Sequence, residues 1–312
     1  MLLSTVQKIL ITGGSGMLGS SIISYLKNQS VLILNPTRQE LNLENWTDTL
    51  QYLEHHQPDL IYHCAAKVAG IKSNMEGGST FLTVNSNIDH NLLFAARAVK
   101  TSKLFYIASS CMYPANQDYA LSESDLLMGK LEPTNESYAL AKILGTKLTQ
   151  GIAEQDNLNW VSIISSNLFG PGDNFAPESS HLLASIIQKI DTAMRRGDES
   201  IEVWGTGKVR REFTYVKDLA RWLVEIGIAD VSLPKILNVG RGEDLTVDEW
   251  YELAMATFGV KFSLSHNLSQ PDGNTRKLMD SSVARNYGWK AETQLELSLR
   301  ETIDWYRNAT SD

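Results

Sequence analysis

The run Lys8-Ile9-Leu10-Ile11-Thr12 passes straight into Gly13-Gly14-Ser15-Gly16-Met17-Leu18-Gly19, and residues 17–26 then carry apolar side chains at helical spacing. A short apolar, β-branched run ended by glycines predicts a buried strand. Few folds accommodate a strand, a GxxGxxG turn and a helix in that order. The first glycine permits the tight turn, the second lets backbone N–H groups approach a pyrophosphate, and the third lets helix lie close on strand. Gly13, Gly16 and Gly19 are therefore candidate cofactor-binding positions.

The same rhythm continues. Residues 31–34, 59–64, 103–108 and 160–164 are further apolar runs, separated by helical stretches of which 79–100 and 138–155 are the clearest. Alternating strand and helix predicts an α/β fold of Rossmann type, a doubly wound parallel sheet with helices on both faces. After Gly170-Pro171-Gly172 the rhythm loosens. Helices near 181–196, 216–228, 247–258 and 295–306 alternate with single short strands at 201–203 and 236–239. The expected division is 1–170, an NADP-binding Rossmann domain that also carries the reacting side chains, and 171–312, a smaller α/β lobe mainly for substrate over the strand ends.

Composition narrows the class. With 312 residues, 43% hydrophobic and 21% charged, the chain is globular rather than disordered. A net charge of -8 argues against nucleic acid or acidic lipid as partner. No apolar run approaches the roughly 18 residues that cross a bilayer, and the first residues lack the pattern of a signal peptide. Two cysteines make no disulfide framework, and no CxxC or His/Cys spacing suggests a metal. The expectation is a soluble, cytoplasmic protein without metal, membrane or nucleic-acid partner.

The end of the second strand reads Asn35-Pro36-Thr37-Arg38. An NAD enzyme ordinarily has Asp or Glu there for the ribose 2′-hydroxyl, whereas a guanidinium suits a 2′-phosphate, so Arg38 points to NADP(H). Further on, Tyr138-Ala139-Leu140-Ala141-Lys142 places a phenol and an ammonium one helical turn apart. The ammonium is expected to lower the phenol's pKa, so that the pair donates a proton to a carbonyl while a nicotinamide delivers hydride. Ser109-Ser110 closes the fourth strand and supplies the third polar group.

GxxGxxG, Ser109 and Tyr138-xxx-Lys142 resemble the extended short-chain dehydrogenase/reductase family, and within it the GDP-L-fucose synthases. The matching stretches are Ala65-Ala66-Lys67-Val68-Ala69-Gly70, Ser109-Ser110-Cys111-Met112-Tyr113-Pro114 and Glu132-Pro133-Thr134-Asn135-Glu136-Ser137-Tyr138-Ala139. They continue with Gly170-Pro171-xx-Asn174-Phe175, Trp204-Gly205-Thr206-Gly207, Arg211-Glu212-Phe213 and Pro271-Asp272-Gly273-xx-Arg276-Lys277. The resemblance implies an NADPH-dependent 3,5-epimerase/4-reductase of GDP-4-keto-6-deoxy-D-mannose. It makes Ser109, Tyr138 and Lys142 the reductase group, and Cys111 and His181 the base and acid that invert C3 and C5. A thiol near 8.5 and an imidazole near 6.5 suit such exchange. It implies cofactor contacts by Ser15, Met17, Leu18, Ala65, Ala66, Lys142, Asn167, Leu168 and His181. Lys189, Arg211 and Lys277 would meet the diphosphate, Trp204 would form an aromatic wall and Asp272 would touch the sugar. The helices at 79–100 and 138–155 resemble the family's dimer-forming pair, so a homodimer is expected.

Cys64, in the third strand, reads as a small buried hydrophobe, and His55, His56, His63, His90 and His266 have no motif behind them. Several positions depart from the family. Lys189 stands for an arginine, Ser15 for a second phosphate-binding arginine, the loop 74–80 lacks a proline, and Lys208-Val209-Arg210 is unusually basic. These changes surround the ligand contacts and leave open a sister enzyme, a GDP-colitose synthase or a GDP-6-deoxyheptose epimerase/reductase. A 4,6-dehydratase would carry an Asp-Glu pair where Ser110-Cys111 stands. A non-catalytic nucleotide sensor would need none of the proton-transfer groups.

Overall fold

The computed structural model describes residues 6–68, 77–176, 179–270 and 272–310. Ala69, Gly70, Pro271 and residues 74–76 of the departing loop lie outside the described residues. The first half runs β1 (Lys8–Thr12), α1 (Met17–Leu26), β2 (Leu32–Leu34), α2 (Trp46–His56), β3 (Leu60–His63), α3 (Gly78–Ala98), β4 (Lys103–Ser109), α4 (Glu136–Gln155) and β5 (Asn159–Ser165). The second runs β6 (Asn167–Phe169), α5 (Leu182–Arg196), β7 (Ser200–Trp204), β8 (Arg210–Arg211), β9 (Phe213–Tyr215), α6 (Val216–Ile228) and β10 (Ile236–Val239). It closes with β11 (Leu245–Thr246), α7 (Val247–Phe258), β12 (Ser263–Asn267), β13 (Arg276–Lys277), α8 (Ser282–Arg285) and α9 (Leu295–Ala309).

Six strands form one parallel sheet in the order β10-β5-β4-β3-β1-β2. Strand periodicity sends Leu10, Ile61 and Leu104 to one face and Ile9, Ile11, Leu60 and Phe105 to the other, and both faces are covered. Side chains of α2, α3 and α4 fill the first core, and those of α1 and α6 the second. This is the doubly wound Rossmann-type sheet that the alternation predicts. Its order reverses at β1, with β2 on one side and β3 on the other. The crevice at such a reversal is where these sheets bind ligands.

A third core joins α5, β7, β9, α7 and α9 around Phe213, Trp250 and Tyr251. Part of the second half returns to the sheet. Residues of β10 pair with β5, Ile236 opposite Ser162, and α6 lies on α1. The short strands β6 with β9, β7 with β12, and β8 between β11 and β13 form three small sheets. Of these, β7 covers the strand predicted at 201–203, whereas β6, β8, β9, β11 and β13, at two or three residues each, carry too little periodicity to be read from sequence.

Candidate active site

The glycine turn is shaped for an anionic group. Gly13 has φ of +69°, and a Cβ there would stand 2.8 Å from the Ala65 backbone nitrogen. A Cβ on Gly19 would stand 2.3 Å from the Gly13 carbonyl oxygen, so neither position tolerates a larger residue. Gly16 is the N-cap of α1 and brings no side-chain cap, which leaves first-turn N–H groups to an incoming phosphate. Ser15 is exposed beside it, Met17 is half-buried and Leu18 is buried. Gly172 closes over this helix start, where a Cβ would lie 3.4 Å from the Met17 Cα. Ala65 and Ala66 are half-buried just beyond β3. Asn167 donates its side-chain amide to the Glu212 carbonyl at 3.1 Å, and Leu168 packs into the second core. A cradle that excludes Cβ atoms, on an uncapped helix end, fits a dinucleotide pyrophosphate.

Arg38 stands past β2 with its side chain 82% exposed and ion-paired to Glu44. A 2′-phosphate at this guanidinium meets a carboxylate already in place.

Ser109 ends β4, and residues 110–112 form one tight turn in which the Ser109 hydroxyl accepts the Cys111 N–H at 3.4 Å. That turn folds Cys111 inward to 8% exposure. Burial pushes its thiol up, while Lys277, the Ser109 hydroxyl and Lys142 pull it down. Tyr138 and Lys142 lie on the first two turns of α4, and Lys142 Nζ donates to the Ile107 carbonyl at 3.1 Å. The phenol of Tyr138 departs from the sequence expectation. Burial raises it well above its ordinary value, and the neighbouring Cys111 thiol and Asp89 carboxylate raise it further. The physical reason is that burial of the phenol, the largest cause, outweighs what the i, i+4 spacing promises from Lys142. A phenol in this state is protonated at neutral pH, which is what a proton donor needs.

His181 is the N-cap of α5, its carbonyl accepts the Ser185 N–H at 2.9 Å, and its imidazole makes no side-chain cap hydrogen bond. It is exposed to solvent yet walled by protein, as a cleft residue is, and that partial burial favours the neutral imidazole. Cys64, by contrast, is pushed up to about 12 by burial and is inert at neutral pH.

The second lobe holds its charges close to the thiol. Lys277 and Arg211 both feel burial, which lowers them, and Glu132, which opposes it. Arg211 donates to the Asn274 carbonyl at 2.6 Å and reaches the Asp272 carbonyl at 3.4 Å. The Asp272 carboxylate accepts the Thr206 N–H at 2.6 Å and its hydroxyl at 3.0 Å, clipping two loops together. Lys189 donates to the Glu202 carbonyl at 2.9 Å and lies 5.6 Å from the centre of the Trp204 ring, which is 59% exposed. The structure thus gathers Ser109, Cys111, Tyr138, Lys142, Arg211 and Lys277. Lys189 and Trp204 form a separate pair, and Arg38 is held by Glu44.

Four acids escaped the sequence reading, one of them Asp89 of α3, which is bonded to His63 and Tyr106. Glu132 faces Cys111, Lys277 and Arg211, and it stood unexamined inside a quoted motif. Asp173, next to Gly172, is pushed up to about 7 by burial. Glu212 is likewise pushed up to about 7 by burial, against N–H donation from Gly242 at 2.6 Å and Met279 at 2.9 Å. No periodicity signals a buried acid; only its position beside Arg211 in a matched stretch hinted at Glu212.

Comparison with known proteins agrees with this geometry. The chain is 37% identical over 303 residues to a GDP-L-colitose synthase of Yersinia pseudotuberculosis, covering 97% of this chain and 98% of that one. It is 38% identical over 300 residues to a GDP-L-fucose synthase of Azorhizobium caulinodans, covering 96% of each. Among solved structures, an NADP-bound GDP-L-fucose synthetase of Naegleria fowleri superposes with a TM-score of 0.87 at 25% identity, over 99% of this chain and 96% of that one. Residues 9–240 match the pattern of the NAD dependent epimerase/dehydratase family, and the chain, with its glycine cradle and its Ser–Tyr–Lys group, belongs to that family.

Proposed function

We propose that the chain is an NADPH-dependent enzyme converting GDP-4-keto-6-deoxy-D-mannose to GDP-L-fucose by inversion at C3 and C5 followed by reduction at C4. The observation that carries this reading is a thiol folded against the Ser109 and Tyr138 group, since a plain ketoreductase needs no Cys111 there. The C4 ketone acidifies the protons on C3 and C5. Ser109 and Tyr138 hold the developing enolate oxygen as an oxyanion hole does. Cys111 and His181 remove a proton on one face and return one on the other, and the order in which they act at each carbon stays open. The bound cofactor supplies hydride to C4, and Tyr138 supplies the proton to the oxygen. Gly13, Ser15, Gly16, Met17, Leu18 and Gly19 cradle its pyrophosphate, with Ala65, Ala66, Asn167 and Leu168 along its length. Arg38 reads the 2′-phosphate in exchange for Glu44.

The C-terminal residues Lys189, Trp204, Arg211, Asp272 and Lys277 are assigned to the GDP-sugar. We place the protein in the cytoplasm as a homodimer. The dimer is supported by Leu140 and Leu144, each 43% exposed and one turn apart on α4, which packs beside α3. A monomeric mass by light scattering would remove it. A second reading, a sister enzyme on another GDP-4-keto sugar, is favoured by Lys189 and Ser15 and by the likeness to a GDP-L-colitose synthase.

The test is turnover of GDP-4-keto-6-deoxy-D-mannose with NADPH in deuterated water, read by NMR. Deuterium at both C3 and C5 is expected. Deuterium at C5 alone favours the sister reading, and NADPH consumption with none at either carbon leaves a plain 4-ketoreductase.

A further inference from the structure

Thr12, His63 and Tyr106 form one row across three adjacent parallel strands, Thr12 opposite His63 and His63 opposite Tyr106. Such a row inside a sheet covered on both faces is ordinarily apolar. Here each is at most 2% exposed, and Asp89, at 1%, reaches the row from α3. The hydrogen bonds have one self-consistent polarity. The Ala65 N–H donates to Thr12 Oγ1 at 3.3 Å, which sends the hydroxyl proton to His63 Nδ1 at 2.8 Å. His63 then carries its own proton on Nε2 and donates to Asp89 Oδ1 at 3.1 Å, while Tyr106 donates to Asp89 Oδ2 at 2.6 Å.

The carboxylate accepts from two donors and is ionised. Burial alone would raise it, but Lys142, His63 and Tyr106 together hold it below the usual carboxylate range. Its countercharge is Lys142, itself 2% exposed, whose Nζ lies 4.6 Å from the centre of the ring whose hydroxyl is bonded to Asp89. A buried ammonium without a compensating anion is costly. Among the described residues whose electrostatics involve Lys142, His63, Cys64 and Cys111 are neutral at pH 7, and Asp89 is the anion. The helix makes room for the arrangement. A Cβ on Gly145 would stand 2.2 Å from Tyr106 Oη and 2.7 Å from Asp89 Oδ2.

We infer that Asp89 is a positioning residue, holding the Lys142 ammonium in place beside Tyr138 through the Tyr106 ring, and tying it through His63 and Thr12 to the strand that opens the glycine turn. The inference rests on the reading of Tyr138 and Lys142 as the reductase pair.

Asp89→Asn keeps the shape and removes the charge. Wild type and variant are compared in NADPH affinity and in kcat for reduction, from about pH 6 to about pH 10. In the variant the alkaline fall of both is expected about one pH unit lower, with values near pH 6 within about threefold of wild type. His63→Gln, which keeps the Asp89 charge, is expected to lower Tm and leave the alkaline limb in place. Tyr106→Leu removes the intervening ring and is expected to move the limb in the same direction as Asp89→Asn, and it decides the matter if Asp89→Asn does not fold. A wild-type limb in folded Asp89→Asn or folded Tyr106→Leu, with only Tm reduced, overturns the inference. If wild type fails to turn over any GDP-4-keto sugar, the functional reading falls, and the pH profile of NADPH affinity still decides the role of Asp89.

Discussion

Lys142 and Arg38 are both cations expected to touch the cofactor, and the protein treats them oppositely. Lys142 is sealed in the core with a carbonyl, an aromatic face and a balancing carboxylate. Arg38 is 82% exposed on a surface ion pair. Removing a buried charge's compensation is expensive, so Lys142 stays where the sheet puts it. An exposed pair contributes little and changes partners readily. On the proposed function, the difference separates chemistry, which needs one geometry, from cofactor selection, which needs an exchangeable contact.

Breaking the buried side should cost most. Tyr138→Phe is expected to lower kcat for reduction by about 10²- to 10⁴-fold while NADPH still binds, as measured by fluorescence titration. Cys111→Ser should reduce solvent-deuterium incorporation into the sugar by about 10²-fold; incorporation at the wild-type rate would detach the thiol from the epimerisation. On the exposed side the effects shrink. Arg38→Ala should raise the KM for NADPH about tenfold and leave that for NADH nearly unchanged, and equal effects on both would show that Arg38 does not read the 2′-phosphate. Glu44→Gln sharpens the same contrast by freeing Arg38, so that the KM for NADPH drops about two- to threefold.

Glu212 gives the smallest effect, on stability. Its folded pKa of about 7 lies above the ordinary 4.5. Between those values the folded chain keeps a proton that the unfolded chain has shed, so stability is full below about pH 4.5 and is lost as pH rises to about 7. Glu212→Gln should flatten that slope by a few degrees of Tm in a thermal melt; an unaltered slope would assign it to other groups.

Much of this was legible in the sequence because it is local. Lys8–Thr12, the glycine turn and α1 are contiguous, and Tyr138 and Lys142 are one helical turn apart. The buried relay was not. His63 and Asp89 are 26 residues apart and Tyr106 and Asp89 are 17, so each read as an isolated polar residue in an apolar run. His63 was therefore left unassigned, and Asp89 drew no notice on an amphipathic helix. The direction of the Tyr138 shift failed for a related reason. The i, i+4 spacing locates an ammonium without telling how deeply the phenol is buried, and that answer comes from how the helix packs on the first core.

The return of β10 to the sheet bears on how such a chain can be inherited. Cut after Gly170, the first half would bare the hydrogen-bonding edge of β5 along residues 162–165 and the apolar flank of α1 that α6 now covers. The first half is therefore not a self-contained module. A crossover between relatives at that point would part β5 from the strand evolved to lie beside it, so the two halves are expected to diverge as one unit rather than be shuffled separately.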